Sequence, residues 1–254
     1  MKKNGLDRFL DKIAKGERPL GAVVTLADEA VTEIVGAAGF DFVWIDGEHG
    51  ILDRKVAQDH LIAATAAGLT SFYRVPSCDH TEIKRVIDLN PAGIIVPMVM
   101  NAADAARAVD ACRYPVAGGS RGCGYRRGFA YGACDAKTYL AEAATDPLVI
   151  VQLEHIEAVR RLDEILAVPG IGSILVGPYD LSMSMGKPGA WHDPEVMAVF
   201  DESCRRVKAA GVPLGVYTEC DYDLWKGRGV DYIAVKNDTN AMLEGFLSMK
   251  GKAQ

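Results

Sequence analysis

Apolar positions along the chain follow two alternating rhythms. Helical spacing comes first, at residues 6–15, where Leu6, Phe9, Leu10 and Ile13 share one face. A short apolar run at 20–26 (LGAVVTL) then reads as a strand, and 28–39 (DEAVTEIVGAAG) as a helix stopped by Gly39. The same alternation predicts strands at 41–46, 71–75, 93–98, 148–154, 172–180, 213–218 and 231–236. Helices are predicted between them at 53–68, 80–89, 102–113, 136–144, 156–167, 194–210 and 221–227, and 239–249 closes the chain. The strand runs are rich in Val and Ile, as strands covered on both faces should be. Eight strands alternating with helices, without a composition break, predict one (β/α)8 barrel spanning residues 1–254. A doubly wound open sheet is the alternative, but Thr25-Leu-Ala-Asp-Glu after the first strand lacks a glycine-rich phosphate fingerprint.

One segment breaks the rhythm. Residues 114–135 (YPVAGGSRGCGYRRGFAYGACD) hold six glycines, four aromatics and three arginines, and a loop of that length in a compact chain is usually functional or mobile. The remaining composition narrows the function. With 254 residues, 49% of them hydrophobic, the chain can bury a large core. A net charge of -6 argues against non-specific nucleic-acid binding, which needs a basic face. Charges or glycines interrupt every apolar run short of membrane-spanning length. No apolar stretch follows the basic start Met-Lys-Lys-Asn-Gly-Leu-Asp, so no signal peptide is expected. Six cysteines without a CxxC pair suit reduced thiols, hence a cytoplasmic protein.

Candidate chemistry collects at the carboxyl ends of the predicted strands, the rim where a barrel builds its site. Asp46 and His49 end the second strand, Arg74 the third, Gln152 and Glu154 the fifth, Asp180 the sixth, and Lys236 and Asn237 the eighth. So many ionisable groups on one rim would be costly unless paired, hydrated or bound to metal. Glu154 and Asp180, with Gln152 nearby, suit a hard divalent cation such as Mg²⁺ or Mn²⁺, with Co²⁺ able to substitute. They also read as acids capping helix N-termini. Arg74 can hold a carboxylate or a developing enolate oxygen, or serve as the partner of a rim acid. His49 with Asp46 looks like a base and its orienting acid, with a turn plus a capping residue as the alternative. Lys236 offers a Schiff-base amine or an ordinary salt bridge. Glu48 receives no role beyond structure.

Taken together the segments resemble the HpcH/HpaI aldolase family, the metal-dependent class II pyruvate aldolases of the phosphoenolpyruvate/pyruvate barrel superfamily. The likeness runs from about residue 18 to 247 and rests on WIDGEHG (44–50), VPMVMNAADAARAVDACRYP (96–115), SRGCG (120–124), VQLE (151–154) and VGPYDLSMSMG (176–186). The resemblance implies a lyase that reversibly cleaves a 4-hydroxy-2-oxo acid to pyruvate and an aldehyde through a pyruvate enolate held on the metal. Glu154 and Asp180 would bind that metal beside Gln152. His49, supported by Asp46, would manage the proton through a metal-bound water, and Arg74 would contact the keto or enolate oxygen. Backbone amides at Tyr179 and Asp180 would bind the pyruvate carboxylate, and the Arg121-Gly-Cys-Gly124 turn would lie over the mouth. The family's habit implies a homo-oligomer, a hexamer built as a trimer of dimers with the last helix exchanged. Within the superfamily a citrate-synthase-like or other carbon–carbon lyase is an alternative, as is a metabolite-binding barrel without turnover. Gly21-Ala-Val-Val24 lacks the bulky aromatic that relatives often carry on the first strand. Arg126 and Arg127 are further departures, suited to an acidic or hydroxylated aldehyde or to a subunit interface.

Overall fold

In the computed structural model, which describes residues 4–253, eight parallel strands close into a barrel in sequence order. They are β1 (Leu20–Val24), β2 (Phe42–Asp46), β3 (Thr70–Arg74), β4 (Gly93–Val96), β5 (Leu148–Leu153), β6 (Ser173–Val176), β7 (Leu214–Thr218) and β8 (Tyr232–Asn237). β1 pairs with both β2 and β8, which removes every sheet edge. Helices connect consecutive strands, as parallel pairing requires. The fold is a (β/α)8 barrel.

Burial separates into two layers because successive strand side chains point to opposite faces. On β2, Val43 and Ile45 face the helices and join the large outer core, whereas Phe42 and Trp44 turn into the barrel. The inward phase continues to Asp46. The lower barrel is closed by rings. Phe9, on the helix Leu6–Ala14, sits 5.6 Å from Phe42, 4.9 Å from Phe72 and 5.1 Å from Tyr232. Gly215 makes room for this plug, since a Cβ there would lie 2.1 Å from the Tyr232 ring. With the amino ends of the strands plugged, the open end is the carboxyl rim.

Three expectations change. The sixth strand stops at Val176, and Pro178–Ser184 is a helix, so Asp180 lies in a first helical turn and not at a strand end. Pro178 explains this: its fixed φ and missing N–H suit the start of a helix. The predicted helix 156–167 is two, Ile156–Arg160 and Leu162–Leu166. Most consequentially, the Arg121–Gly124 turn does not lie over this chain's own barrel mouth. The helix Ala102–Cys112 runs back from β4 to the amino rim and delivers segment 114–135 there. Arg121 N–H donates to the Arg113 carbonyl at 2.8 Å, and Arg127 donates to Leu61 O at 3.1 Å and Thr65 Oγ1 at 2.8 Å. Within this chain Arg126 and Arg127 are therefore remote from the site. Among the described residues, no helix is long and apolar enough to cross a membrane.

Candidate active site

The inward phase of neighbouring strands assembles the site. Asp46 and Arg74 are Cα partners across β2 and β3, so their side chains enter the barrel mouth side by side. Arg74 Nε donates to Asp46 Oδ1 at 2.8 Å and Nη2 to Oδ2 at 2.7 Å, a bidentate pair with both residues buried. Nη1 meets Glu48 Oε2 at 2.9 Å and Gln152 Oε1 at 3.4 Å. The guanidinium also stacks on Trp44, 4.8 Å from the ring centroid. Burial alone would favour discharging Arg74, but Asp46 and Glu48 outweigh it and raise its pKa. The cation is held rigidly and permanently charged.

On β5, Gln152 points inward and Glu154 follows two residues later in the same phase. Glu154 Oε1 accepts the Met98 N–H at 2.6 Å, and Oε2 accepts from Gln152 Nε2. Met98 is held at φ 52°, a left-handed conformation that a side chain disfavours. Burial chiefly pushes Glu154 up to about 7, aided by Glu48 and Asp180 and opposed by the Met98 hydrogen bond and Arg74. Burial likewise raises Glu48. Gly177 leaves space above this carboxylate, because a Cβ would lie 3.3 Å from Glu154 Oε2. Asp180, Gly177 and Tyr179 line the same cavity of about 180 Å³ as Asp46, His49, Arg74 and Gln152.

The donor set fits a divalent cation. Three carboxylates (Glu48, Glu154 and Asp180) repel one another here, and Arg74, the fixed cation among them, is already committed to Asp46 and Glu48. Among the described residues no group of three or more His, Cys, Asp or Glu is placed to hold a metal ion by itself. Two carboxylates with an amide beside them match an open site, in which a hard cation keeps positions for water and substrate. Glu154, Asp180 and Gln152 are the residues that would hold it.

His49 departs from expectation. Its ring is not oriented by Asp46: the side chain is 69% exposed and its Nε2 lies 3.8 Å from Glu48 Oε2. Asp46 instead accepts the backbone N–H groups of Glu48, at 3.1 Å, and His49, at 3.4 Å. Both carboxylate oxygens of Asp46 are spent on Arg74 and this turn. Glu48 therefore joins the site, bonded to Arg74 and beside His49. Strand alternation could not have found it, because β2 ends at Asp46 and Glu48 lies in the turn that follows. Lys236 lies outside the cavity lining, and its bond to Glu244 raises its pKa, the reverse of what a Schiff-base amine needs. His155 caps a helix, accepting from Glu157 N–H at 3.1 Å. Sequence reasoning missed Trp44, Thr25 and Tyr217, which line the same cavity.

Comparison with known proteins places this geometry. Residues 20–221 match the family model described as HpcH/HpaI aldolase/citrate lyase. A hydroxypyruvate/pyruvate aldolase from Roseobacter denitrificans is 34% identical over 249 residues, 97% of each chain. A 4-hydroxy-2-oxovalerate aldolase from Rhodococcus jostii is 36% identical over 241 residues, covering 93% of this chain and 92% of that one. Among solved structures, an HpcH/HpaI aldolase/citrate lyase family protein from Burkholderia cenocepacia superposes with a TM-score of 0.90 at 28% identity, covering 98% of this chain and 99% of its own.

Proposed function

The chain belongs to the HpcH/HpaI aldolase/citrate lyase family and is a carbon–carbon lyase, and we propose that it is a divalent-metal-dependent aldolase that reversibly cleaves a 4-hydroxy-2-oxo acid to pyruvate and an aldehyde. The observation that carries this reading is the meeting, in one cavity, of a locked Arg74–Asp46 pair with Gln152 and Asp180, with Glu154 hydrogen-bonded to Gln152. Mg²⁺, Mn²⁺ or Co²⁺ bound by Glu154 and Asp180 would act as a Lewis acid on the C1 carboxylate and C2 carbonyl oxygens of the oxo acid.

The chain's own groups supply the rest. Tyr179 and Asp180 contribute backbone N–H groups of a first helical turn, which lack intrahelical acceptors and suit a substrate carboxylate. Arg74 spends donors on Asp46, Glu48 and Gln152 and keeps one Nη2 donor uncommitted. That donor faces the charge that grows on the C2 oxygen as the bond breaks. Because Asp46 and Trp44 fix the guanidinium beforehand, little reorganisation is needed when charge develops. His49, at the open mouth beside Glu48, takes the proton from the C4 hydroxyl. The electrons of the C3–C4 bond move to C3, the aldehyde leaves, and the pyruvate enolate is then protonated at C3. Synthesis runs the same steps backward.

Pyruvate release from 4-hydroxy-2-oxo acids should disappear on chelation and return with added Mg²⁺, Mn²⁺ or Co²⁺. Unchanged release by a Glu154→Ala/Asp180→Ala double variant would refute the proposal. Assembly as a homo-oligomer, a trimer of dimers exchanging the last helix, belongs to the same reading. It is supported by the helix Asp238–Ala253, where Leu243, Phe246 and Leu247 are 57%, 60% and 58% exposed. Six unpaired cysteines suit a reducing cytoplasm.

A further inference from the structure

The cavity has two sides of different character. Gln152, Gly177 and Asp180, from β5, the residue after β6 and the helix Pro178–Ser184, form the side that would hold metal and oxo acid. The aldehyde portion is then left the opposite wall, which comes from β1, β2, β7 and β8: Val23, Thr25, Trp44, Tyr217 and Asn237. Val23 and Trp44 are Cα partners, so the aromatic missing from β1 is supplied by its neighbour on β2. Trp44 and Tyr217 stand edge to face at 6.0 Å.

The polar atoms of this wall are specific. Asn237 Oδ1 is occupied by Thr239 Oγ1 and Asn240 N–H, both at 2.8 Å. The amide's two N–H donors therefore have no partner among the described residues. Thr25 Oγ1 spends its proton on Asp238 at 2.6 Å and keeps its acceptor lone pairs. An unpaired donor beside an unpaired acceptor is complementary to a hydroxyl group, which both gives and receives a hydrogen bond.

Carboxylates flank this wall, and the cations near it, Lys236 by Glu219 and Arg74 by Tyr217, are already paired with other acids. Among the described residues, Asp238 accepts from neutral donors: the N–H groups of Thr25, Leu26 and Thr239 and the Thr25 hydroxyl. Glu219 accepts from Tyr217 OH at 3.2 Å and Asn240 Nδ2 at 3.1 Å. Lys236, the nearest lysine in sequence, is bonded to Glu244. Within this chain Arg126 and Arg127 are at the other end of the barrel, and Arg74 is committed to Asp46 and Glu48 and to the oxo-acid side.

Resting on the aldolase reading above, we propose that the acceptor is an uncharged aldehyde bearing a hydroxyl group, selected by Asn237 together with Thr25. An aldehyde carrying a carboxylate approaches Asp238 and Glu219 and finds no unpaired cation on this wall among the described residues, so it is disfavoured. An unsubstituted aldehyde leaves the Asn237 donors and Thr25 acceptor unmatched, a loss of about tenfold in kcat/KM for a neutral hydrogen bond.

The test compares glyceraldehyde, propanal and succinic semialdehyde as acceptors for pyruvate in the Mn²⁺-loaded protein. Wild type should rank glyceraldehyde about tenfold above propanal, and succinic semialdehyde below propanal. In Asn237→Val the glyceraldehyde-to-propanal ratio, taken within the variant, should fall to near one. Succinic semialdehyde at or above glyceraldehyde in wild type, or an unchanged ratio in the variant, overturns the proposal. The wild-type ranking needs no variant to fold. Deuterium uptake into the pyruvate methyl, measured without aldehyde, tests the enolate reading separately: exchange with the wrong ranking defeats only the acceptor proposal.

Discussion

Glu154 ties metal binding to pH in a way that can be worked out from its surroundings. It is buried, faces Glu48 and Asp180, and is pushed from 4.5 up to about 7. A cation binding there must displace the proton that Glu154 carries below pH 7. For one such proton, apparent affinity for Mn²⁺ should drop about fiftyfold between pH 7 and pH 5, and change little above pH 8. Calorimetry in buffers of different ionisation enthalpy should count about one proton released per Mn²⁺ at pH 6 and about half a proton at pH 7. The stability of the metal-free protein follows with a definite sign. The folded state holds this proton more tightly than the unfolded chain, so no penalty exists below about pH 4.5. As pH rises toward 7 the penalty grows to about 3 kcal/mol, at about 1.4 kcal/mol per pH unit, and metal relieves it. Thermal midpoints without metal should therefore fall from pH 5 to pH 7, and metal should stabilise most at the upper end. A Mn²⁺ affinity that is flat between pH 5 and pH 7, or binding at pH 6 without proton release, would refute the assignment.

Other perturbations separate chemistry from scaffold. Arg74→Lys keeps the charge but loses the planar fork held by Asp46, and kcat/KM for cleavage should fall about a hundredfold; a drop under threefold in steady-state assays would remove Arg74 from the chemistry. Glu48→Gln removes the charge beside Arg74 and His49 and should shift the pH–rate profile, whereas a purely structural Glu48 predicts an unmoved profile. Phe9→Ala opens the ring plug and should cost about 3–5 kcal/mol in denaturant unfolding, while kcat per folded molecule changes little. Phe246→Asp with Leu247→Asp should yield smaller species in light scattering if the exposed face of the last helix is an interface.

The alternation of short Val- and Ile-rich runs with helical spacing was enough to identify the barrel, because period-2 and period-3.6 burial are local properties of a chain. It also placed Asp46, Arg74, Gln152 and Glu154 on one rim, since strand direction in a barrel puts every carboxyl end at the same mouth. Asp180 was found for a reason that needed correction. Gly177-Pro178 looked like the tail of a strand, but the proline starts a helix, so Asp180 arrives from a helical turn. Local pattern is ambiguous where an apolar run meets Pro.

What lay beyond the sequence was partner choice. Asp46 and His49 are close in the chain, which suggested a dyad, yet Asp46 is a Cα partner of Arg74 across the sheet and spends its oxygens there. The Arg121–Gly124 turn follows a helix whose direction is set by the fold, and that direction carries it to the amino rim. Trp44, Thr25, Tyr217 and Asn237 come from strands far apart in sequence and meet only when β8 pairs with β1. By itself, then, the sequence determined which residues point inward and which end of each strand carries chemistry, because side-chain alternation is written residue by residue. Only the closed tertiary structure decided who faces whom, because register and closure are properties of the whole sheet.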